Sequence, residues 1–286
     1  MSSAISLTNK VDGLAAQAKK GTRMMLKDKV AVIYGAAGAI GGAVARAFAS
    51  EGAKVFLTGR QRMSVDAVAD GIQSAGGSAE AAEVDALDEQ AVDKHLQSVI
   101  GKAGRVDISL NAVGFSNAKA LGVPLVELDL KQFSLPIADY TTSYFLTARL
   151  AARRMVPNKS GVIMTITALP GRTGTALNGG YGSAQAAKEA LTRDLSTELA
   201  PHGIRVVSLR PHGMPETKTM KEAFELKASR AGTTWDQFQT FLANWSHPRR
   251  VMKLEEMANM AVFIASDKAS GMTGTTVNLT MGGVAD

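Results

Sequence analysis

Residues 29–43 read KVAVIYGAAGAIGGA, and the fold turns on how this stretch is parsed. Lys29 to Tyr34, KVAVIY, is a short β-branched run with no polar alternation, the pattern of a strand buried on both faces. Gly35, Gly38 and Gly41 follow at intervals of three. The next stretch, GGAVARAFASEG (41–52), has helical spacing and closes at Gly52. A glycine-rich turn between strand and helix permits a tight bend and close backbone approach to a pyrophosphate. The free N–H groups of the helix N-terminus then face the phosphates. The competing reading is a turn whose glycines serve packing alone; the context that follows favours the ligand.

That context is a repeated strand–helix rhythm. AKVFLTG (53–59), AEAAEVDA (79–86), VDISLNAVG (106–114), GVIMTITA (161–168), IRVVSLRP (204–211) and TTVNLTMGG (275–283) read as further strands. Between them lie the helical patterns RMSVDAVADGIQSAG, DEQAVDKHLQSVIGKAG, QFSLPIADYTTSYFLTARLAARRM, GGYGSAQAAKEALTRDLSTELAPHG and EEMANMAVFIASD. Pro136 is expected to break or kink the start of its helix. Residues 212–250 are irregular and helix-bearing, and are expected to form a substrate lid. The alternation predicts an α/β protein: one doubly wound Rossmann domain over 26–286, with a seven-stranded parallel sheet and helices on both faces. Residues 1–25, rich in Ser, Ala and Lys, read as an N-terminal extension without the apolar core of a secretory signal.

Composition narrows the chemistry. The 286 residues are 45% hydrophobic and 20% charged, as a globular domain requires. With no cysteine, disulfides and thiolate catalysis are excluded and a cytoplasmic location is expected. The four histidines stand apart from one another, so no metal site is expected. The net charge of +6 is spread along the chain without interleaved aromatics, which argues against nucleic acid. No apolar run reaches about 18 residues, so no membrane span is expected.

The end of the second strand bears on the cofactor. A carboxylate there would bind the adenosine ribose and repel a 2′-phosphate. This chain has Thr58-Gly59-Arg60 instead, and the Arg60 guanidinium can clamp a phosphate. NADP(H) is therefore expected over NAD(H), unless Arg60 is only a surface residue opening a helix.

With these residues the chain resembles the short-chain dehydrogenase/reductase superfamily, from about Leu26 to Gly283. Gly35-Ala36-Ala37-Gly38-Ala39-Ile40-Gly41 is similar to the TGxxxGIG loop, with Ala39 at the middle glycine. Asp85 matches the aspartate that meets the adenine amino group. Asn111-Ala112-Val113-Gly114 resembles the NNAG segment. Pro211-His212-Gly213 matches the PG turn beside the nicotinamide, with a histidine inserted or substituted. Met272 to Gly274 and Asn278 to Gly283 resemble the C-terminal ending. The resemblance implies a nicotinamide-dependent oxidoreductase acting on a small molecule, and a homotetramer or dimer.

The family's Asn–Ser–Tyr–Lys tetrad carries over poorly. The tyrosine falls on Tyr181, the serine position on Ala168, the asparagine position on Tyr140 and the lysine position on Gln185. Lys188, seven residues after Tyr181, is either a solvated helix lysine or one that reaches back to the site. Without a cation at Gln185, Tyr181 is expected to titrate near about 10 and to serve as a proton donor rather than a base. Tyr140 and His212, the latter expected to titrate near neutrality, are further candidate donors, unless Tyr140 only fills core volume and His212 is only a turn residue. The lid aromatics Trp235, Phe238, Phe241 and Trp245 suit an apolar or ring-bearing substrate, or else lid-to-core packing or a subunit contact. The expected activity is NADPH-dependent reduction of a carbonyl or activated double bond. The alternatives are a non-catalytic NADP(H)-binding sensor or partner subunit, and a redox-neutral lyase or isomerase.

Overall fold

The computed structural model describes residues 24–285. The expected extension therefore lies outside the described residues except for Met24 and Met25. The backbone N–H of Met25 is already tied to Glu51 Oε2 at 2.7 Å, and Leu26 is fully buried.

Seven parallel strands form one sheet in the order β3-β2-β1-β4-β5-β6-β7. They are β1 Val30–Tyr34, β2 Lys54–Gly59, β3 Ser78–Glu83, β4 Ile108–Asn111, β5 Gly161–Ile166, β6 Ile204–Pro211 and β7 Thr275–Leu279. The helices among the described residues are α1 Ala39–Ser50, α2 Arg62–Ser74, α3 Glu89–Ala103, α4 Leu130–Met155, α5 Tyr181–Leu199, α6 Lys218–Ala231, α7 Trp235–Trp245 and α8 Leu254–Ala265.

Both faces of the sheet are covered, as the unbroken apolar runs require. Ala31 and Ile33 of β1 join the cluster holding Val44 and Phe48 of α1 and Met257 and Ala261 of α8. The alternate residues Val30, Val32 and Tyr34 join Leu96 of α3, Tyr144 and Leu150 of α4 and Leu195 of α5. The strand order reverses between β1 and β4, and such a switch point opens a crevice at the carboxyl ends of the strands. Tyr34, Thr58, Asn111 and Thr165 lie level across that edge.

The helix carrying Pro136 differs from expectation. α4 runs from Leu130 to Met155 straight through Pro136, which is buried. Asp129 caps it, accepting from the N–H groups of Lys131 (2.9 Å) and Gln132 (3.2 Å). Proline removes one helical bond, the one to the carbonyl of Gln132. That carbonyl lies in a partly exposed first turn where water can satisfy it, so the helix continues.

Residues 212–250 hold α6 and α7. Trp235 and Phe238 of α7 pack on Phe224 of α6, with ring centroids 5.1 and 4.9 Å away. These aromatics make the segment's own small core, while Phe241 and Trp245 remain exposed. The segment rests on the β4–α4 loop at Gly122. This residue has φ +82°, and a Cβ there would lie 2.8 Å from the carbonyl oxygen of Leu226 in α6. Only glycine tolerates both constraints.

Candidate active site

The glycine turn hangs from β2. The N–H groups of Gly35 and Ala36 both donate to the Thr58 carbonyl at 3.0 Å. Gly35 has φ +77°, and a Cβ on it would stand 2.6 Å from the Ala112 carbonyl oxygen; one on Gly41 would stand 2.4 Å from that of Gly35. Helix α1 begins after Gly38 with no side-chain cap. The N–H groups of Ala39, Ile40 and Gly41 in its first turn have no intrahelical acceptor. A bare backbone cradle on an uncapped helix N-terminus fits a dinucleotide pyrophosphate. Ala37 lies within this turn.

Arg60, Asp85 and Asp139 gather at the β2 and β3 end. Arg60 is exposed, and Asp85 is half-buried with one carboxylate oxygen accepting from Leu87 N–H at 3.0 Å. Asp139, on α4, has its carboxyl held above the usual range by burial and by Asp85, partly offset by Arg60. Sequence reasoning missed Asp139, because only the packing of α4 brings it to this end.

Asn111 is buried and turned away from the cleft. Its Nδ2 donates to Ser143 Oγ (3.0 Å) and Thr147 Oγ1 (3.1 Å) on α4. The backbone of Ala112 meets Gly35 as described, and Gly114 lies exposed beyond it. On the other side, Pro211 ends β6 and leads into His212 and Gly213. His212 is buried. Its Nδ1 donates to the Gly213 carbonyl at 3.2 Å, and Nε2 has no partner among the described residues. Burial depresses its pKa, only partly opposed by that hydrogen bond, so the expectation of titration near neutrality is corrected downward.

The tetrad positions do converge. Tyr181 opens α5 and is half-buried. Its ring meets Tyr140 of α4 edge-on, centroids 5.6 Å apart, and Tyr140 meets Phe115 edge-on at 5.0 Å. The Tyr140 hydroxyl accepts from Phe115 N–H (3.1 Å) and lies 3.3 Å from the Phe115 carbonyl as donor, so both of its roles are engaged by backbone. Ala168 starts a single 3₁₀ turn and offers only a methyl group. Gln185 is 1% exposed, and its Oε1 has no partner among the described residues. The Tyr181 phenol does not keep the ordinary tyrosine pKa expected from sequence: burial, with Tyr140 adding to it, drives it well upward. Desolvation disfavours tyrosinate and no cation opposes it.

Lys188 is not a solvated helix lysine. It is 1% exposed, and its Nζ donates to the Ile166 carbonyl at 2.6 Å. Behind Ala168 lies a second buried group of charges. Glu189 accepts from Thr167 Oγ1 (3.0 Å) and from Arg210 Nε and Nη2 (2.8 and 2.9 Å), joining β5, α5 and β6 just beneath the site. Sequence reasoning missed this network too; Arg210, next to the last residue of β6, was the available signal.

The comparisons agree with this geometry. The profile of a family described as Enoyl-(Acyl carrier protein) reductase matches residues 35–283. The uncharacterised oxidoreductase YxbG of Bacillus subtilis (strain 168) is 32% identical over 254 residues, covering 88% of this chain and 89% of that protein. The crystal structure of sorbitol-6-phosphate 2-dehydrogenase SrlD from Erwinia amylovora superposes with a TM-score of 0.83 at 27% identity, covering 90% of this chain and all of that one. A 7α-hydroxysteroid dehydrogenase solved with NADH and 7-oxo glycochenodeoxycholic acid superposes with a TM-score of 0.80 at 28% identity, covering 92% and 97% of the two chains. The chain belongs to the short-chain dehydrogenase/reductase superfamily of oxidoreductases.

Proposed function

We propose that this protein is an NADPH-dependent reductase of a carbonyl or activated double bond in a small, apolar or ring-bearing substrate, with Tyr181 as the proton donor. The observation that carries the reading is Tyr181 itself. It stands at the carboxyl edge of the sheet beside Tyr140, with its phenol kept protonated by burial and a neutral Gln185 in the family's lysine position. Alcohol oxidation needs a base there, whereas reduction needs only a donor. The nicotinamide, when bound, supplies the hydride to the substrate carbon. Tyr181 gives its proton to the substrate oxygen, or to the second carbon of an activated alkene. Tyr140, itself packed on Phe115, lies against Tyr181 and shields it from water on that side, and the Ala168 methyl offers no polar group to the pocket.

The phosphate-binding residues in this reading are Gly35, Ala37, Gly38, Ile40 and Gly41. Arg60 takes the 2′-phosphate, Asp85 the adenine, the Asn111–Gly114 backbone the ribose side, and Pro211 and Gly213 the nicotinamide side. The solved relative with NADH places the neighbouring dinucleotide in the same superfamily; Arg60 is what favours the phosphorylated one here. A homo-oligomeric, cytoplasmic enzyme completes the reading. The vacant lysine and serine functions at Gln185 and Ala168 support a second reading, an NADP(H)-binding protein without turnover.

The test is titration of the purified protein with NADPH and NADH, followed through nicotinamide fluorescence, and then addition of a carbonyl and enone panel. Tight NADPH binding with oxidation on substrate is expected. Tight binding with no oxidation across the panel selects the second reading, and binding of neither nucleotide overturns both.

A further inference from the structure

Lys188 is a buried cation for which the fold alone gives no reason. Its face of α5 also carries the buried residues Ala184 and Thr192, one turn away on either side. An apolar side chain of the same length would pack there without the desolvation cost of an ammonium group. Among the described residues it has no carboxylate partner. The adjacent Glu189 is held by Arg210 and Thr167. What surrounds the Lys188 Nζ is the Ile166 carbonyl at 2.6 Å and two aromatic rings of α4, Tyr140 with its centroid at 5.5 Å and Tyr144 at 5.9 Å. Both distances lie within cation–π range, and the interaction strengthens when water is excluded.

The order of contacts is informative. Lys188 lies against Tyr140, and Tyr140 lies against Tyr181 at 75°. The Tyr140 hydroxyl end is pinned by the backbone of Phe115, and the Lys188 ammonium bears on its ring 5.5 Å from the centroid. We propose that Lys188 is the positioning residue of the Tyr140–Tyr181 pair: a buried ammonium that holds the Tyr140 ring and, through it, the orientation of the Tyr181 phenol. It does so from behind the ring rather than from the position of Gln185. The catalytic part of this proposal rests on the reductase reading above; the geometric part does not.

The charge of Lys188 is the adjustable element. Burial pulls its pKa down to about 7. The titratable and charged groups around it are Tyr140 and Tyr144 on α4, Tyr181 and Glu189 on α5, and Arg210 on β6; β5 contributes only the Ile166 carbonyl. The three phenols are held neutral by burial across this range, and Glu189 and Arg210 neutralise each other. Asp139, next to Tyr140 on α4, also acts on that phenol, so a change near neutral pH is assigned to Lys188 where Lys188→Met abolishes it.

The chain has only four tyrosines, so a ring-¹³C-tyrosine spectrum is assignable by single Tyr→Phe variants. In the wild type, the Tyr140, Tyr144 and Tyr181 signals are expected to move together between pH 6 and pH 9, with a common midpoint near 7, while Tyr34 stays still. The Tyr181 shift decides the matter, because Tyr144 and Tyr140 touch Lys188 directly and Tyr181 is reached through Tyr140. Lys188→Met should abolish the transition, and Lys188→Arg should hold the low-pH positions throughout. With an accepted substrate, Lys188→Met should lower kcat by about 10- to 100-fold, the range a small misplacement produces, with KM and NADPH affinity within about twofold. A wild-type Tyr181 signal that does not move, or Lys188→Met turnover within threefold of wild type, would overturn the proposal. The wild-type titration needs no variant to fold. If no substrate is turned over, the reductase reading fails, and the ring spectra still decide the geometric proposal.

Discussion

Tyr140 and Tyr181 meet edge to face, their centroids 5.6 Å apart and their planes inclined at 75°. One comes from the middle of α4 and the other from the first residue of α5, so the contact fixes how these two helices lie at the carboxyl edge of the sheet. It also places a protonated phenol in a position where the family resemblance implies an asparagine, beside one where it implies a tyrosine. The chemistry of the protein follows from that pairing.

Removing the Tyr181 hydroxyl removes the proposed proton donor while keeping the ring contact. Tyr181→Phe is expected to lower kcat by about 10²–10⁴-fold, with NADPH affinity unchanged. Steady-state kinetics against an accepted carbonyl decide this. Equal turnover in the variant would move the donor to another group or to water.

Arg60 is exposed just beyond β2, with no carboxylate in ion-pair contact with it among the described residues. Arg60→Ala should weaken NADPH binding by about ten- to a hundredfold, the loss of a charge-assisted contact of about 1.5–3 kcal/mol, and leave NADH binding nearly unchanged. Fluorescence titration with both nucleotides reads the difference. Parallel losses for both would place Arg60 outside the 2′-phosphate site.

Gln185→Lys restores a cation one turn from Tyr181. An opposite charge favours tyrosinate, so NADP⁺-linked alcohol oxidation should rise at least about tenfold at pH 8 to 9. The position is 1% exposed and lies one turn from Lys188, so a lower Tm should accompany the gain. A folded variant whose oxidation rate is unchanged would show that the missing charge is not what biases the site toward reduction.

Lys188 couples stability to pH in a definite direction. Its folded pKa of about 7 lies below the unfolded value of about 10.4, so between these limits the unfolded chain holds the extra proton. The destabilisation is complete below about pH 7, shrinks as pH rises through the window, and is absent above the unfolded value. Urea unfolding of wild type and Lys188→Met at pH 6, 8 and 9.5 should give a variant more stable by on the order of a few kcal/mol at pH 6, with the gap closing as pH rises. A constant gap would mean that the amine is not neutralised on folding.

The alternation of apolar runs and helical patterns was enough to read the sheet, because the inner strands β1, β2, β4, β5 and β6 are buried on both faces and each crossover returns to the same sheet. β6 was legible to the residue at both ends, Ile204 and Pro211. The glycine turn was legible as well, since its three glycines answer to backbone contacts within a few residues of one another. What was not legible depends on which side chains α4 brings across the chain. The stretch AAKEAL reads as polar at Lys188, and only the buried stripe of Ala184, Lys188 and Thr192 hints at its direction. The upward shift of Tyr181 is likewise a property of its surroundings, burial first and Tyr140 second. The lid aromatics read equally well as a substrate wall or as packing; Phe224 settles Trp235 and Phe238 as packing.

At Gly122, the lid touches the loop through main chain on both sides. The carbonyl of Leu226 stands where a side chain would be, and the N–H of Gly122 is bonded to the Leu177 carbonyl at 2.9 Å. No rotamer change can part such a contact. The β4–α4 loop and α6 are thus matched to one another backbone against backbone, and a substitution of any side chain in α6 leaves that match in place.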